Sequence, residues 1–117
     1  MDEMCEEASA ELVWAFSLLG KRWTGVIIAV LMNGPVHFAP LHRAVAGISE
    51  RMLSDRLAEL GAAGLVRREV NEGPPLRVRY RLTDAGQALR PALQELVTWA
   101  HENQHADAAL ESAVPRE

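Results

Sequence analysis

The stretch from Phe38 to Ala63 constrains the fold most, because it carries two apolar stripes at helical spacing on either side of a turn. Leu41, Val45 and Ile48 form the first stripe, and Leu53, Leu57 and Leu60, spaced i, i+4, i+7, form the second. Both stripes must face one core, so two short helices pack against it and join tightly at Ala46-Gly47-Ile48. Ser49 stands where an N-cap belongs, with Glu50 just inside, which presents the free N–H groups and positive dipole end of the second helix at the turn. That is the layout of a helix-turn-helix over residues 38–63. With the leucines inward, the helical wheel turns Arg51, Ser54, Asp55 and Ala58 outward. A major-groove reader carries its hydrogen-bonding side chains in the first turns, so Ser49, Arg51 and Ser54 are the expected DNA contacts. Asp55 would repel phosphate and is read as a partner orienting Arg51 at i, i+4. Arg56 lies toward the core edge and is read as structural, its stem covering apolar surface.

The chain beyond this motif reads as a hairpin. Gly64 closes the second helix, Leu65-Val66-Arg67-Arg68-Glu69-Val70 is extended, and Asn71-Glu72-Gly73-Pro74-Pro75 is a turn cluster. The return strand alternates strictly, with Leu76, Val78, Tyr80 and Leu82 expected to face inward and Arg77, Arg79 and Arg81 outward. A two-stranded hairpin over 65–82 with arginines along one face is a wing, and Arg77 and Arg79 are its expected DNA contacts. Arg81, Arg67 and Arg68 lie farther from the tip, where they pair with Glu69 or supply diffuse potential. Upstream, Val36-His37 read as a short extended piece, and Pro40 fits the first turn of the next helix. Arg43, beside His42, lies on the first helix of the motif, where it can meet the DNA backbone. Lys21 and Arg22 open a helix whose stripe is Trp23, Val26, Ile27, Val30 and Leu31. Cations at a helix start oppose its dipole, so they are read as phosphate contacts, with a plain exposed face as the alternative.

Two further helices bracket this unit. Leu12, Phe16 and Leu19 form one stripe and Trp14 and Leu18 another, so the first helix is buried on two sides. A chain of 117 residues supports one core, which leaves a second subunit to cover the other side. Thr83-Asp84 caps a last helix carrying Leu89, Leu93, Leu96, Val97 and Ala100, with Trp99 on its flank and a bend expected at Pro91. Residues 9–19 and 84–105 are therefore read as dimerisation helices, with Leu12, Trp14, Phe16, Leu93, Leu96 and Trp99 at the interface. The expected fold is mainly α, strictly α+β: one winged helix-turn-helix domain over 1–117 with flexible ends at 1–8 and 106–117.

Charge looks at first like an objection, since the chain carries a net −4. Its distribution removes the objection: ten Lys/Arg against five acids lie between Lys21 and Leu82, and eleven acids against two arginines lie outside. The apolar run from Val26 to Met32 is too short to span a bilayer, and the acidic start lacks the basic region of a signal peptide. The expected setting is the cytoplasm, with no membrane partner. A single cysteine, Cys5, excludes an intramolecular disulfide, so any redox role involves a partner chain or a small molecule. Asp2, Glu3, Glu6 and Glu7 around it disfavour a thiolate, whereas a helix beginning near Glu6 would favour one. His101 and His105 have a metal-compatible HxxxH spacing but no nearby third ligand, so they are read as polar residues and no metal site is assigned. No nucleophile elbow, phosphate loop or carboxylate pair is present, so neither an enzymatic activity nor a cofactor is read.

Taken in order, Leu19-Gly20-Lys21-Arg22-Trp23, Gly34-Pro35, Phe38, Gly47-Ile48-Ser49, Met52-Leu53, Arg56-Leu57, Leu60, Gly64-Leu65-Val66, Val78, Tyr80, Leu82-Thr83 and Gly86 form a specific series. In these residues the chain resembles the HxlR-type winged helix-turn-helix regulators, a branch near the MarR regulators, over roughly residues 12 to 100. The resemblance implies a homodimer held by the first and last helices, a recognition helix in the major groove of double-stranded DNA and a basic wing near the minor groove. It also implies a cysteine ahead of the first helix that senses oxidants, quinones or aldehydes. The family's thiol falls at the position of Ser9 and precedes proline; here Cys5 sits one helical turn earlier and precedes Glu6. The expected function is a sequence-specific, homodimeric repressor on an inverted-repeat operator, switched at Cys5. Two other readings stay open: a ligand-sensing regulator without a thiol switch, and a winged-helix module for protein interaction.

Overall fold

Both apolar stripes of the central motif end in one core. A computed structural model describes residues 9–104, in which the order is α1 (Ala10–Leu19), α2 (Thr24–Leu31), β1 (Val36–His37), α3 (Phe38–Ala44), α4 (Glu50–Ala62), β2 (Val66–Asn71), β3 (Arg77–Leu82), α5 (Asp84–Gln87) and α6 (Arg90–Asn103). The fold is a winged helix-turn-helix of α+β class. Ile27, Ile28 and Leu31 of α2, Leu41 of α3, Val45 and Ile48 of the turn, and Leu53, Leu57 and Leu60 of α4 are buried together. Leu65, Val66 and Leu82 close this core from the sheet. Each such side chain contributes about 1.5–3 kcal/mol by leaving water, so the motif is held by its apolar faces rather than by helix propensity.

Caps fix where the helices start. Ser49 is extended and its hydroxyl accepts from Met52 N–H at 3.0 Å, starting α4 where the sequence places it. Thr83 does the same for α5, accepting from Gly86 N–H at 3.2 Å while its own hydroxyl donates to the Gly64 carbonyl at 2.6 Å. Gly64 ends α4 with φ +81, a left-handed conformation that glycine adopts without a side-chain clash.

Three expectations are corrected and one is extended. The β2–β3 hairpin is the two-stranded wing, and Val36-His37 adds a third strand beside β3, giving an antiparallel sheet of order β1-β3-β2. An unpaired β3 edge would leave its N–H and C=O groups without partners, and the short strand satisfies part of that edge. The inward row of β3 loses cover toward the tip, from buried Leu82 through half-buried Tyr80 and Val78 to Leu76 at 71% exposure. Trp23 is not on the α2 stripe, for α2 starts at Thr24 and Trp23 precedes it with φ 82, its Cη2 atom 3.5 Å from where a Gly47 Cβ would stand. The indole is spent on the helix-turn-helix turn instead. The last helix is not a single bent rod: α5 ends at Gln87, and Pro91 lies in the first turn of α6, where its missing N–H has no helical partner to lose.

Candidate nucleic-acid interface

The outer face of α4 is as the helical wheel requires. Arg51, Ser54, Asp55 and Ala58 are exposed while Leu53, Leu57 and Leu60 are buried. Among the described residues no ion pair joins Arg51 to Asp55, so the orienting role given to Asp55 is corrected. An exposed i, i+4 pair is worth only a few tenths of a kcal/mol, too little to order two side chains against their own entropy. Arg51 therefore presents its guanidinium to solvent at the first turn of the helix. Ser49 is exposed beside it, its oxygen already engaged as the cap. Arg43 is exposed in the last turn of α3, where a cation also suits the dipole.

Farther along α4 the charges are used internally. Arg56 donates Nε–H to the Arg22 carbonyl at 3.0 Å and pairs with Glu59 at 3.3 Å, its side chain only 15% exposed. Glu59 also takes Lys21 at 3.4 Å, and the Arg22 guanidinium lies 4.5 Å from the Trp23 ring centroid. The structural role read for Arg56 is thus explicit. Lys21 and Arg22, expected at a helix start, instead form a turn docked against the middle of α4, away from Ser49 and Arg51. Another polar tie holds the motif's turn: His42 Nε2 lies 2.7 Å from the Ile48 carbonyl.

On the wing the sheet register lines up charges across three strands. His37, Arg79 and Glu69 form one row, Arg81 and Arg67 the next toward the base, and Arg77 and Asn71 the next toward the tip. Glu69 bonds Arg79 at 3.0 Å and Arg81 at 3.4 Å. The hydrogen bond from Arg79, aided by the charges of both arginines and opposed by desolvation, holds the Glu69 carboxyl below its ordinary value. Arg79, expected to be free for DNA, is therefore clamped, while Arg77 and Arg67 make no ion pair among the described residues. Asn71 Oδ1 accepts from Arg77 N–H at 2.8 Å and pins the strand ends near the tip. A cleft of about 560 Å³ opens beside His37, Glu69, Asn71, Arg77 and Arg79. The Arg81–Glu69 pair is one the sequence offers, whereas the Arg79–Glu69 bond escaped it, although pairing residue 71 with 77 across the turn places Glu69 opposite Arg79.

The flanking helices leave their apolar faces open. Leu12, Trp14 and Phe16 of α1 are 41%, 61% and 59% exposed, and Leu96 and Trp99 of α6 are 50% and 64% exposed. Leu93 is partly buried and seats α6 on the core. Among the described residues no group of three or more His, Cys, Asp or Glu side chains could hold a metal, and no single helix is long and apolar enough to cross a membrane. Cys5 and His105 lie outside the described residues.

Comparison with known proteins agrees with this geometry. A family model described as HxlR-like helix-turn-helix matches residues 18–108. The HTH-type transcriptional regulator YodB of Bacillus subtilis is 48% identical over 86 residues, covering 74% of this chain and 77% of that protein. The structure of reduced YodB superposes with a TM-score of 0.76 at 43% identity, covering 81% of this chain and 93% of that one. YodB has also been solved diamide-treated and quinone-bound. The redox regulator HypR in its reduced form has a TM-score of 0.78 at 31% identity, covering 88% of this chain and 99% of its own.

Proposed function

The chain belongs to the HxlR-like helix-turn-helix family of DNA-binding transcriptional regulators, and on that premise we propose that it is a homodimeric repressor acting on an inverted-repeat operator. The observation that carries this reading is the Ser49-capped start of α4, where Arg51 and Ser54 stand exposed on a helix fixed from below by Leu53, Leu57 and Leu60. Such a helix end enters the major groove and reads base edges there. Arg43 and Arg77 contact phosphates on either side. Lys21, Arg22 and Arg79 act through the shape and potential of the interface, since each is engaged within the protein. The protein acts on chromosomal DNA in the cytoplasm and without a membrane partner.

The apolar faces of α1 and α6 support the dimer. Trp14, Phe16, Leu96, Val97 and Trp99 are each at least half exposed in the single chain, and grouped exposure of this kind marks an interface. Two motifs related by a two-fold axis match an inverted repeat with half-sites about one helical turn apart.

The input is a thiol switch at Cys5, the single cysteine. The reduced, diamide-treated and quinone-bound forms of YodB and the reduced and oxidised forms of HypR support it. Cys5 precedes α1 in the chain, so its modification acts on the dimerisation helix, with an oxidant, quinone or aldehyde as effector. The test compares operator release by diamide or a quinone in wild type and Cys5→Ser. Release in wild type alone supports the switch, and equal responses remove Cys5 from it. An apolar groove of about 230 Å³ between α1, Leu65 and Leu89 favours a second reading, in which an apolar small molecule is sensed there. That reading predicts an effector response that persists in Cys5→Ser.

A further inference from the structure

The turn between α3 and α4 decides the direction in which the recognition helix leaves the core. Its own backbone bond runs from Ile48 N–H to the Val45 carbonyl at 3.3 Å, and the first bond of α4 runs from Leu53 N–H to the Ser49 carbonyl at 2.9 Å. Neither uses the carbonyl of Ile48, the residue just before the cap. That oxygen lies 2.7 Å from His42 Nε2. A carbonyl only accepts, so Nε2 carries the hydrogen and donates it. The imidazole is half-buried and parallel to the Phe38 ring one turn earlier, with centroids 6.4 Å apart and 2° between planes. Trp23 packs beside Gly47, whose φ of +94 makes the sharp bend. Packing against Trp23 limits where the turn can move, and the His42 bond fixes its orientation.

We infer that His42 is a positioning residue for operator recognition: its bond to the Ile48 carbonyl sets the angle at which α4 presents Arg51 and Ser54 to base edges. The inference rests on the reading of α4 as the recognition helix. Hydrogen bonds to bases fail with small errors of distance and angle, whereas phosphate attraction is long-ranged and tolerant. Losing the His42 bond should therefore reduce specific binding and leave non-specific binding in place. A structural role alone would weaken both together.

The experiment uses the full chain, a duplex selected by the wild-type protein from a random pool, and a scrambled duplex of equal length at the same salt. His42→Leu should bind the selected duplex about tenfold more weakly, the scale of one net hydrogen bond. Its affinity for the scrambled duplex should not change. His42→Gln, whose amide reaches about as far as Nε2, should recover to within about threefold of wild type. The inference is overturned if His42→Leu matches wild type, if it weakens both duplexes equally, or if His42→Gln is as weak as His42→Leu. Should His42→Leu melt below the assay temperature, His42→Asn, with an amide one bond shorter, takes its place under the same criteria. A wild-type protein that selects no duplex overturns the recognition reading itself, which separates that failure from the others.

Discussion

Arg77 and Arg79 are neighbours on one strand face, yet only Arg79 is tied down, by Glu69 at 3.0 Å. The difference assigns them different parts. Arg77→Ala should weaken binding to all duplexes alike and reduce the slope of log K against log salt by about 1, as loss of one phosphate contact does. Arg79→Ala should change the slope less, because its guanidinium is held on Glu69 and is not free to reach a phosphate. Gel shifts over a salt series separate the two. Glu69 has a carboxyl held below its ordinary value, so its contribution to the folded state is full above the ordinary carboxylate range and fades as pH falls through the lowered value. The wing clamp should thus be constant between pH 6 and 8, and a carboxyl titration of Glu69 followed by NMR should show its midpoint below that of an exposed glutamate. At this scale the outward direction of Arg51 and Ser54 was legible, because side-chain direction follows helical period. Arg81 with Glu69 was legible too, as residues on facing strands, but the partner of Lys21 was not, since it meets Glu59 only through the tertiary fold.

The helices and hairpin were legible wherever an apolar period met a cap or a turn cluster, as at Leu53, Leu57 and Leu60 after Ser49. Three features were not. The pairing of Val36-His37 with β3 is a long-range contact with no local signature. The left-handed backbone at Trp23 is unusual for a bulky residue and depends on the turn it packs against. The break before Pro91 could be read equally as a bend or as a new first turn, and packing settled it. Gly86 explains part of that packing, since a Cβ there would collide with the Leu65 carbonyl and press on the Leu82 side chain. Gly86→Ala should therefore push α5 off the sheet and lower the thermal midpoint, by an amount typical of core overpacking, about 1–3 kcal/mol. Unchanged melting would show that α5 is not held there by close approach.

For the whole molecule, the exposed apolar faces of α1 and α6 and the central block of basic residues fit the proposed dimer on DNA. Trp14→Glu together with Trp99→Glu places charge on both faces and should convert the proposed dimer to a monomer in sedimentation, with a corresponding loss of operator binding. The central claim is that two copies of α4 read a two-fold operator through their N-terminal turns. Footprinting on a selected operator tests it most directly. Two symmetric protected patches should appear, centred about 34–36 Å apart along one DNA face, and Arg51→Ala should abolish both while wild-type salt dependence is largely kept. A single protected patch, or two that persist unchanged in Arg51→Ala and Ser54→Ala, would contradict the account.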